Sequence, residues 1–280
     1  MKWIVGIRAA GNLNWSKLNR NESLVQTYLY QMGNGLTVER KKYMRDIYSK
    51  YWITAREKIY GFMEYDKNLC NYICECIPKG KKLIGVAVGT GYPFADFFQK
   101  AGYIVHGIDI SPELIDKCRQ VNPLIDCKVG DAEELDYSDN QFDCTYCFHS
   151  TWYFPNLNRA IDEMLRVTRA DGYVIFDVQN ANNKEIYKAY RERLVPERGV
   201  KKIIRYSKNI CKIILRRGTP DWHNFCYEVP TYPESIYDYF RQKNISNFCV
   251  LVKKGDESLE AEGNTGSFKE FGRLVFVLEK

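Results

Sequence analysis

The chain has 280 residues, of which 45% are hydrophobic and 27% charged: enough for one core and an appended region, and an ordinary globular composition. No window approaches the ~18 apolar residues that span a bilayer, and Met1 to Trp15 has no long apolar run ahead of a small-residue cleavage site. A cytoplasmic chain is expected, its ten cysteines reduced rather than paired. The net charge of +6 is local, because Lys184 to Arg217 holds twelve basic and three acidic residues and leaves the rest near −3, so no general affinity for nucleic acid follows.

Residues 1–36 are polar with weak periodicity and remain unassigned. Thr37 to Tyr60 reads as a helix rich in Lys, Arg, Glu and aromatic residues, and Lys67 to Ile77 as a second helix stopped by Pro78-Lys79-Gly80. A regular alternation follows. Leu83–Val88, Tyr103–Ile110, Ile125–Val129 and Phe142–Phe148 read as strands. Pro93–Lys100, Pro112–Gln120 with Ser111 as N-cap, and Asn158–Thr168 read as helices. Asp171-Gly172 turns the chain into a fifth strand, Tyr173–Val178. Strands alternating with helices imply βαβ units, hence a doubly wound, mostly parallel α/β sheet covered on both faces. Beyond Asn180 the rhythm breaks into a basic, partly helical stretch. Pro233–Lys243 returns as helix, and Phe248–Lys253 and Arg273–Leu278 read as strands joined by a polar loop, Lys254–Gly272.

Cys70, Cys74 and Cys76 invite a metal reading. Their spacing, C-x3-C-x-C, is one residue short of the radical iron–sulfur pattern, and on a helix Cys76 points away from the other two. Small apolar residues on a helix are expected, with no metal.

Four features at strand ends carry the chemistry. Leu83 to Phe94 is a strand, a glycine turn (Gly89-Thr90-Gly91) and a helix start, where the backbone can approach a ligand closely. Asp109 ends the second strand 18 residues past Gly91, placed to bond ribose hydroxyls. Gly130-Asp131-Ala132 follows the third strand directly. The fourth strand ends in Phe148 and His149. Ligands of doubly wound sheets bind at such strand ends, where the strand order switches.

The run from Leu83 to Val178 resembles the core of the class I S-adenosylmethionine-dependent methyltransferases. The resemblance implies a Rossmann-like core at 81–180 within a seven-stranded sheet of order 3-2-1-4-5-7-6, last strand antiparallel. It implies a helical cap at 37–80, an acceptor-side or lid insertion at 181–243 and completing strands at 244–280. S-adenosylmethionine is the implied cofactor and S-adenosylhomocysteine the product. Ala87, Gly89, Thr90 and Gly91 form the implied first motif, Asp109 and Ile110 the ribose site, and Asp131 and Ala132 the adenine contact. Phe148 and Tyr51, the latter in the aromatic N-terminal helix, complete the implied cofactor set. The family usually carries an acid at Gly85, which helps hold the methionine ammonium, and a glycine at Ala87. A nicotinamide dinucleotide is the nearest alternative, but it prefers glycine where Phe94 stands and gives no account of Asp131-Ala132. A non-catalytic, methyltransferase-like regulator is the other alternative.

Methyl transfer leaves the protein to align the reactants and exclude water. Tyr51, Trp52, Tyr92, Trp152 and Tyr153 are candidates to face a sulfonium cation. An acceptor hydroxyl benefits from a base. His149, at the mouth of the site, is favoured over His223, while His106 lies inside a strand and reads as structural. In Lys201–Arg217 apolar residues recur between basic ones, as in a basic amphipathic helix. This helix is expected to cover the core as a lid, to dock on an anionic membrane surface, or to grip a phosphate-bearing or lipid-linked acceptor. The implied acceptor group is a hydroxyl, or an amine or carboxylate, of a small molecule, sugar or lipid-linked glycan; oligomeric state is not legible.

Overall fold

The computed structural model describes residues 40–48, 53, 62–194, 204, 207, 208, 211, 228–253, 259–261 and 268–280. The chain divides into two units, Met1–Lys41 and Lys42–Lys280. Of the first only 40 and 41 are described, in a helical turn; the second holds the sheet. Within the expected helix 37–60, residues 40–43 are α-helical and Met44–Tyr48 form a π-helical turn. Tyr51 and Trp52 lie outside the described residues.

The strands are β1 (Lys82–Val86), β2 (Ile104–Asp109), β3 (Asp126–Val129), β4 (Phe142–Cys147), β5 (Thr168–Gln179), β6 (Phe248–Lys253), β7 (Leu259–Ala261) and β8 (Arg273–Glu279). The main helices are α1 (Glu64–Cys76), α2 (Phe94–Lys100), α3 (Pro112–Val121), α4 (Leu157–Val167), α5 (Lys184–Leu194) and α6 (Pro233–Gln242). The sheet order is β3-β2-β1-β4-β5-β8-β6-β7. With β8 as the seventh strand and β6 as the sixth, this is the expected 3-2-1-4-5-7-6. Strands β1 to β5 are parallel, and β8 runs antiparallel to both β5 and β6.

Every residue of β4 is buried, as a central strand covered on both faces requires. Alternation along the strands feeds two apolar layers. Leu83, Ile175, Val275 and Val277 pack with α1, α2 and α3. Ile84, Phe176 and Phe276 pack with α4 and α6. The rings of Phe176 and Phe276, opposite each other across β5 and β8, stack with centroids 5.4 Å apart. Ser111 caps α3 by accepting the Leu114 N–H at 3.2 Å, as its sequence predicts.

Two expectations are corrected. The fifth strand begins at Thr168, not Tyr173: Phe142 pairs with Thr168 and Cys144 with Tyr173, so the intervening residues bulge out of β5. Asp171 there has φ 60°, and a Cβ on Gly172 would lie 2.8 Å from the Asp143 carbonyl, so the turn residues serve a bulge. The expected loop 254–272 contains β7, which pairs antiparallel to β6 at the sheet edge. Three residues are too few to show alternation.

Candidate functional site at the strand ends

The parallel register brings the ends of β1, β2 and β3 side by side: Val86 pairs with Ile108, and Asp109 with Val129. The chain leaves β1 through Ala87, whose φ is 55°, then Gly89 at 60° and Gly91 at 82°. Glycine adopts such angles without strain; Ala87 does so against its side chain. Gly91 is also needed for space, since a Cβ there would lie 2.8 Å from Cys118 Sγ on α3.

Asp109 holds this turn. Its Oδ2 accepts the Gly89 N–H at 2.9 Å and its Oδ1 the Ser111 N–H at 3.0 Å. Burial pushes its carboxyl up to about 6, against the pull of the N–H groups of Ser111, Gly89 and Ile110. Each oxygen retains acceptor capacity after one bond, so the carboxylate can pin the turn and still bond ribose hydroxyls. Asp131 forms a turn of its own, Oδ1 accepting the Glu133 N–H at 2.9 Å. That loop is fastened from behind. Buried Glu133 accepts the Asn156 N–H at 2.7 Å, and Glu163 on α4 accepts the Leu135 N–H at 2.7 Å. Thr90, Ile110, Asp131 and Ala132 are all half-buried at this edge.

Gly85 has a physical explanation. It pairs with Tyr146 on β4, and a Cβ at position 85 would lie 2.8 Å from Tyr146 Oη and 2.9 Å from Cζ. The tyrosine ring fills the space an acidic side chain would need. Its hydroxyl is buried without a hydrogen-bond partner among the described residues. The residues present therefore fit a nucleoside at the ribose and adenine ends, whereas the position that usually carries an acid is closed.

Phe148 is buried against Phe94 and Tyr146, with centroids 4.9 and 5.4 Å away. Phe94 is itself buried at the start of α2, where a dinucleotide fold would want glycine for close packing. Tyr92 is 42% exposed beside the turn. Trp152 is buried near His149, and the Tyr153 hydroxyl donates to Glu228 at 2.9 Å.

On the other half of the mouth stands His149, just past β4, with φ 58°. Its Nε2 is 3.0 Å from Asp66 Oδ1, and its ring packs against Phe94 at 5.6 Å. Burial, aided by the Arg273 charge, holds its imidazole below the ordinary value. Burial works to raise the Asp66 carboxyl, but His149 and Arg273 outweigh it and hold it down at about 2. Asp66, Asp177 and Arg273 escaped the sequence reading. The one signal for any of them is a lone acid, Asp177, within the otherwise uncharged, largely apolar run Tyr173–Val178. His106 sits within β2, its Nδ1 3.0 Å from Asp126. His223 lies outside the described residues, as does all of 201–217 except Ile204, Ser207, Lys208 and Cys211. Cys70, Cys74 and Cys76 lie on α1, and among the described residues no group of three potential ligands is arranged to hold a metal.

Residues 84–176 match the family model of the methyltransferase domain. Over 105 residues the chain is 28% identical to the malonyl-[acyl-carrier protein] O-methyltransferase of Erwinia billingiae, covering 38% of this chain and 41% of that one. Over 120 residues it is 30% identical to the demethylmenaquinone methyltransferase of Chlorobaculum tepidum, covering 41% and 50%. The chain thus spans about half the length of the curated relatives it matches. The fold is similar to that of an S-adenosylmethionine-dependent methyltransferase from Thermotoga maritima described as a possible histamine N-methyltransferase. That comparison gives a TM-score of 0.51 at 18% identity and covers 86% of this chain and 97% of that one. Strand order and site together define a Rossmann-like, nucleoside-binding α/β domain. Residues 84–176 match the methyltransferase domain and carry the strand order of the class I S-adenosylmethionine-dependent methyltransferase fold. Among the described residues no helix is long and apolar enough to cross a membrane.

Proposed function

We propose that the whole chain transfers a methyl group from S-adenosylmethionine to a hydroxyl of a small molecule, sugar or lipid-linked acceptor. The observation that carries this reading is the pin between Asp109 and Gly89, which shapes the glycine turn while keeping a carboxylate at the β2 end. In this proposal Ala87, Gly89, Thr90 and Gly91 line the cofactor, Asp109 and Ile110 hold its ribose, and Asp131 and Ala132 meet its adenine. Phe148 supplies the floor beneath it, and Tyr51 the cover. The bound cofactor supplies an activated sulfonium methyl, so the protein's own work is alignment, exclusion of water and management of one proton. His149 takes that proton. Its depressed basicity keeps it neutral near pH 7, as a base must be. His223 is the second candidate. The segments 37–80 and 181–243 serve as cap and acceptor-side cover, and 201–217 as the part that meets an anionic surface.

Calorimetry with S-adenosylmethionine, S-adenosylhomocysteine and NAD tests the reading. Binding of the first two and not the third is expected. Binding of none would favour the regulatory reading, for which the closed position at Gly85 is the supporting observation. Once an acceptor is found, His149→Ala is expected to lower turnover ~10²–10⁴-fold with S-adenosylhomocysteine affinity unchanged. Undiminished turnover would remove His149 from the role. Flotation with anionic liposomes at low salt tests the membrane surface.

A further inference from the structure

Four residues form a closed ring around the mouth of β4. The main-chain N–H of His149 donates to both carboxylate oxygens of Asp177, at 2.9 and 3.1 Å. Asp177 Oδ2 also accepts from Arg273 Nε at 2.6 Å. Arg273 Nη1 donates to Asp66 Oδ1 at 2.9 Å, and that same oxygen meets His149 Nε2 at 3.0 Å. The members come from α1, the end of β4, β5 and β8, so the ring ties four separate elements to one imidazole.

Two features exceed what packing needs. His149 is held in the left-handed backbone region, an unfavourable place for a residue with a side chain. Two carboxylates and a guanidinium are withdrawn from water, Asp66 and Asp177 being 2% and 0% exposed. Such burial costs desolvation that an apolar cluster avoids. Both costs fall on the orientation of the imidazole.

That orientation has a chemical consequence. An ionised carboxylate only accepts hydrogen bonds, and a neutral imidazole carries its proton on one nitrogen. Facing ionised Asp66, His149 must place that proton on Nε2. The lone pair is then on Nδ1, which has no hydrogen-bond partner among the described residues, in a side chain 19% exposed.

We infer that Asp66 is a positioning residue that fixes His149 as the Nε2–H tautomer and presents Nδ1 to the acceptor, with Arg273 and Asp177 holding the pair in register. The inference rests on His149 acting as the base. The acceptor O–H bond breaks, its electron pair stays on oxygen, and the proton forms an N–H bond at Nδ1. The imidazolium charge then faces Asp66, which lowers its cost in a buried place. Asp66 also places this geometry under the control of α1, an element outside the matched domain.

Nitrogen-15 NMR of the full-length protein tests this, with His149→Gln assigning one of only three histidines. In the wild type, His149 is expected to show Nε2 protonated and Nδ1 unprotonated. In Asp66→Asn, the tautomers mix and titration of the ring moves down by about one unit or more, because a facing negative charge is lost. Affinity for S-adenosylhomocysteine should stay unchanged. An Nδ1-protonated ring in the wild type overturns the inference, and this holds even where the variant fails to fold. Titration of His149 in folded Asp66→Asn identical to the wild type overturns it as well. Failure of the wild type to bind S-adenosylhomocysteine strikes at the proposed function instead, and the spectrum judges the tautomer separately.

Discussion

The two halves of the site's mouth are built by opposite means. Around β1, β2 and β3 the site is mostly backbone: positive-φ turns at 87, 89 and 91, an Asx turn at 131 and one carboxylate, Asp109, bonded to main-chain N–H groups. Around β4, β5 and β8 it is side chain against side chain, a ring of Asp66, His149, Asp177 and Arg273. A backbone-made half suits one constant ligand, because its turns close within a few residues. A half made of side chains from distant segments can be altered residue by residue without disturbing those turns. That division suits the proposed placement of a common cofactor on one side and a variable acceptor on the other.

The comparison is broken hardest at Arg273. Its removal leaves Asp66 and Asp177 facing each other's surroundings without their shared cation. Arg273→Ala is expected to destabilise the fold by about 3–5 kcal/mol, the usual cost of breaking a buried ion pair from one side. Urea unfolding measures it. A loss below ~1 kcal/mol, the range of an exposed pair, would mean that water already reaches the ring and that its burial is not what orients His149.

On the backbone-made half, Asp109→Ala removes the pin on Gly89. Hydrogen bonds to a charged group are worth about 1.5–3 kcal/mol, so affinity for S-adenosylhomocysteine should fall roughly 10- to 150-fold by calorimetry. Global stability should change much less than in Arg273→Ala. Equal affinity in the variant would strip Asp109 of its ligand role and leave it a turn residue.

The difference between the halves also decides what the sequence discloses. The alternation of short apolar runs and helices, the turn Gly89-Thr90-Gly91 and Asp109 a fixed distance later are local, and they carry the resemblance that implies the order of the sheet. Asp66 and Arg273 are 207 positions apart, and their meeting depends on how β8 inserts beside β5. Neither has a periodic or spacing signature. Similarly, the bulge at 169–172 and the strand 259–261 are too short for a pattern, so they surface only in the paired structure. Gly85 is legible as a departure, but its cause is not. Tyr146, which closes the space, is one of 21 tyrosines until the register of β1 and β4 places it opposite.

That pair offers a smaller test. Gly85→Ala pushes a Cβ to 2.8 Å from Tyr146 Oη and 2.9 Å from Cζ, so overpacking should cost about 1–3 kcal/mol. Tyr146→Phe removes the nearest atom and a buried hydroxyl that has no partner among the described residues, so by itself it should be neutral or stabilising. The double variant should recover part of the loss, with a coupling of about 0.5 kcal/mol or more. Strict additivity would show that the two positions do not share the space, and the vanished acid would need another account.

The smallest effect concerns proton linkage at Asp109, and its sign differs between stability and binding. Its carboxyl stands at about 6 in the fold against 3.8 for a free aspartate. The folded chain thus holds this proton more tightly than the unfolded one. The contribution to stability is fully present below pH ~4 and is lost as pH rises through ~6. In the proposed site ribose hydroxyls donate to the charged form, so cofactor affinity should run the other way, falling as pH drops through ~6 by at most about tenfold per unit. Subtracting the same measurements on Asp109→Asn removes the linkage of His149 and Asp66. The remaining difference should show ligand-free stability rising, and S-adenosylhomocysteine affinity weakening, between pH 7 and pH 5. Affinity that tracks stability in the same direction would mean the carboxylate never meets the ligand, and the backbone-made half would bind through its turns alone.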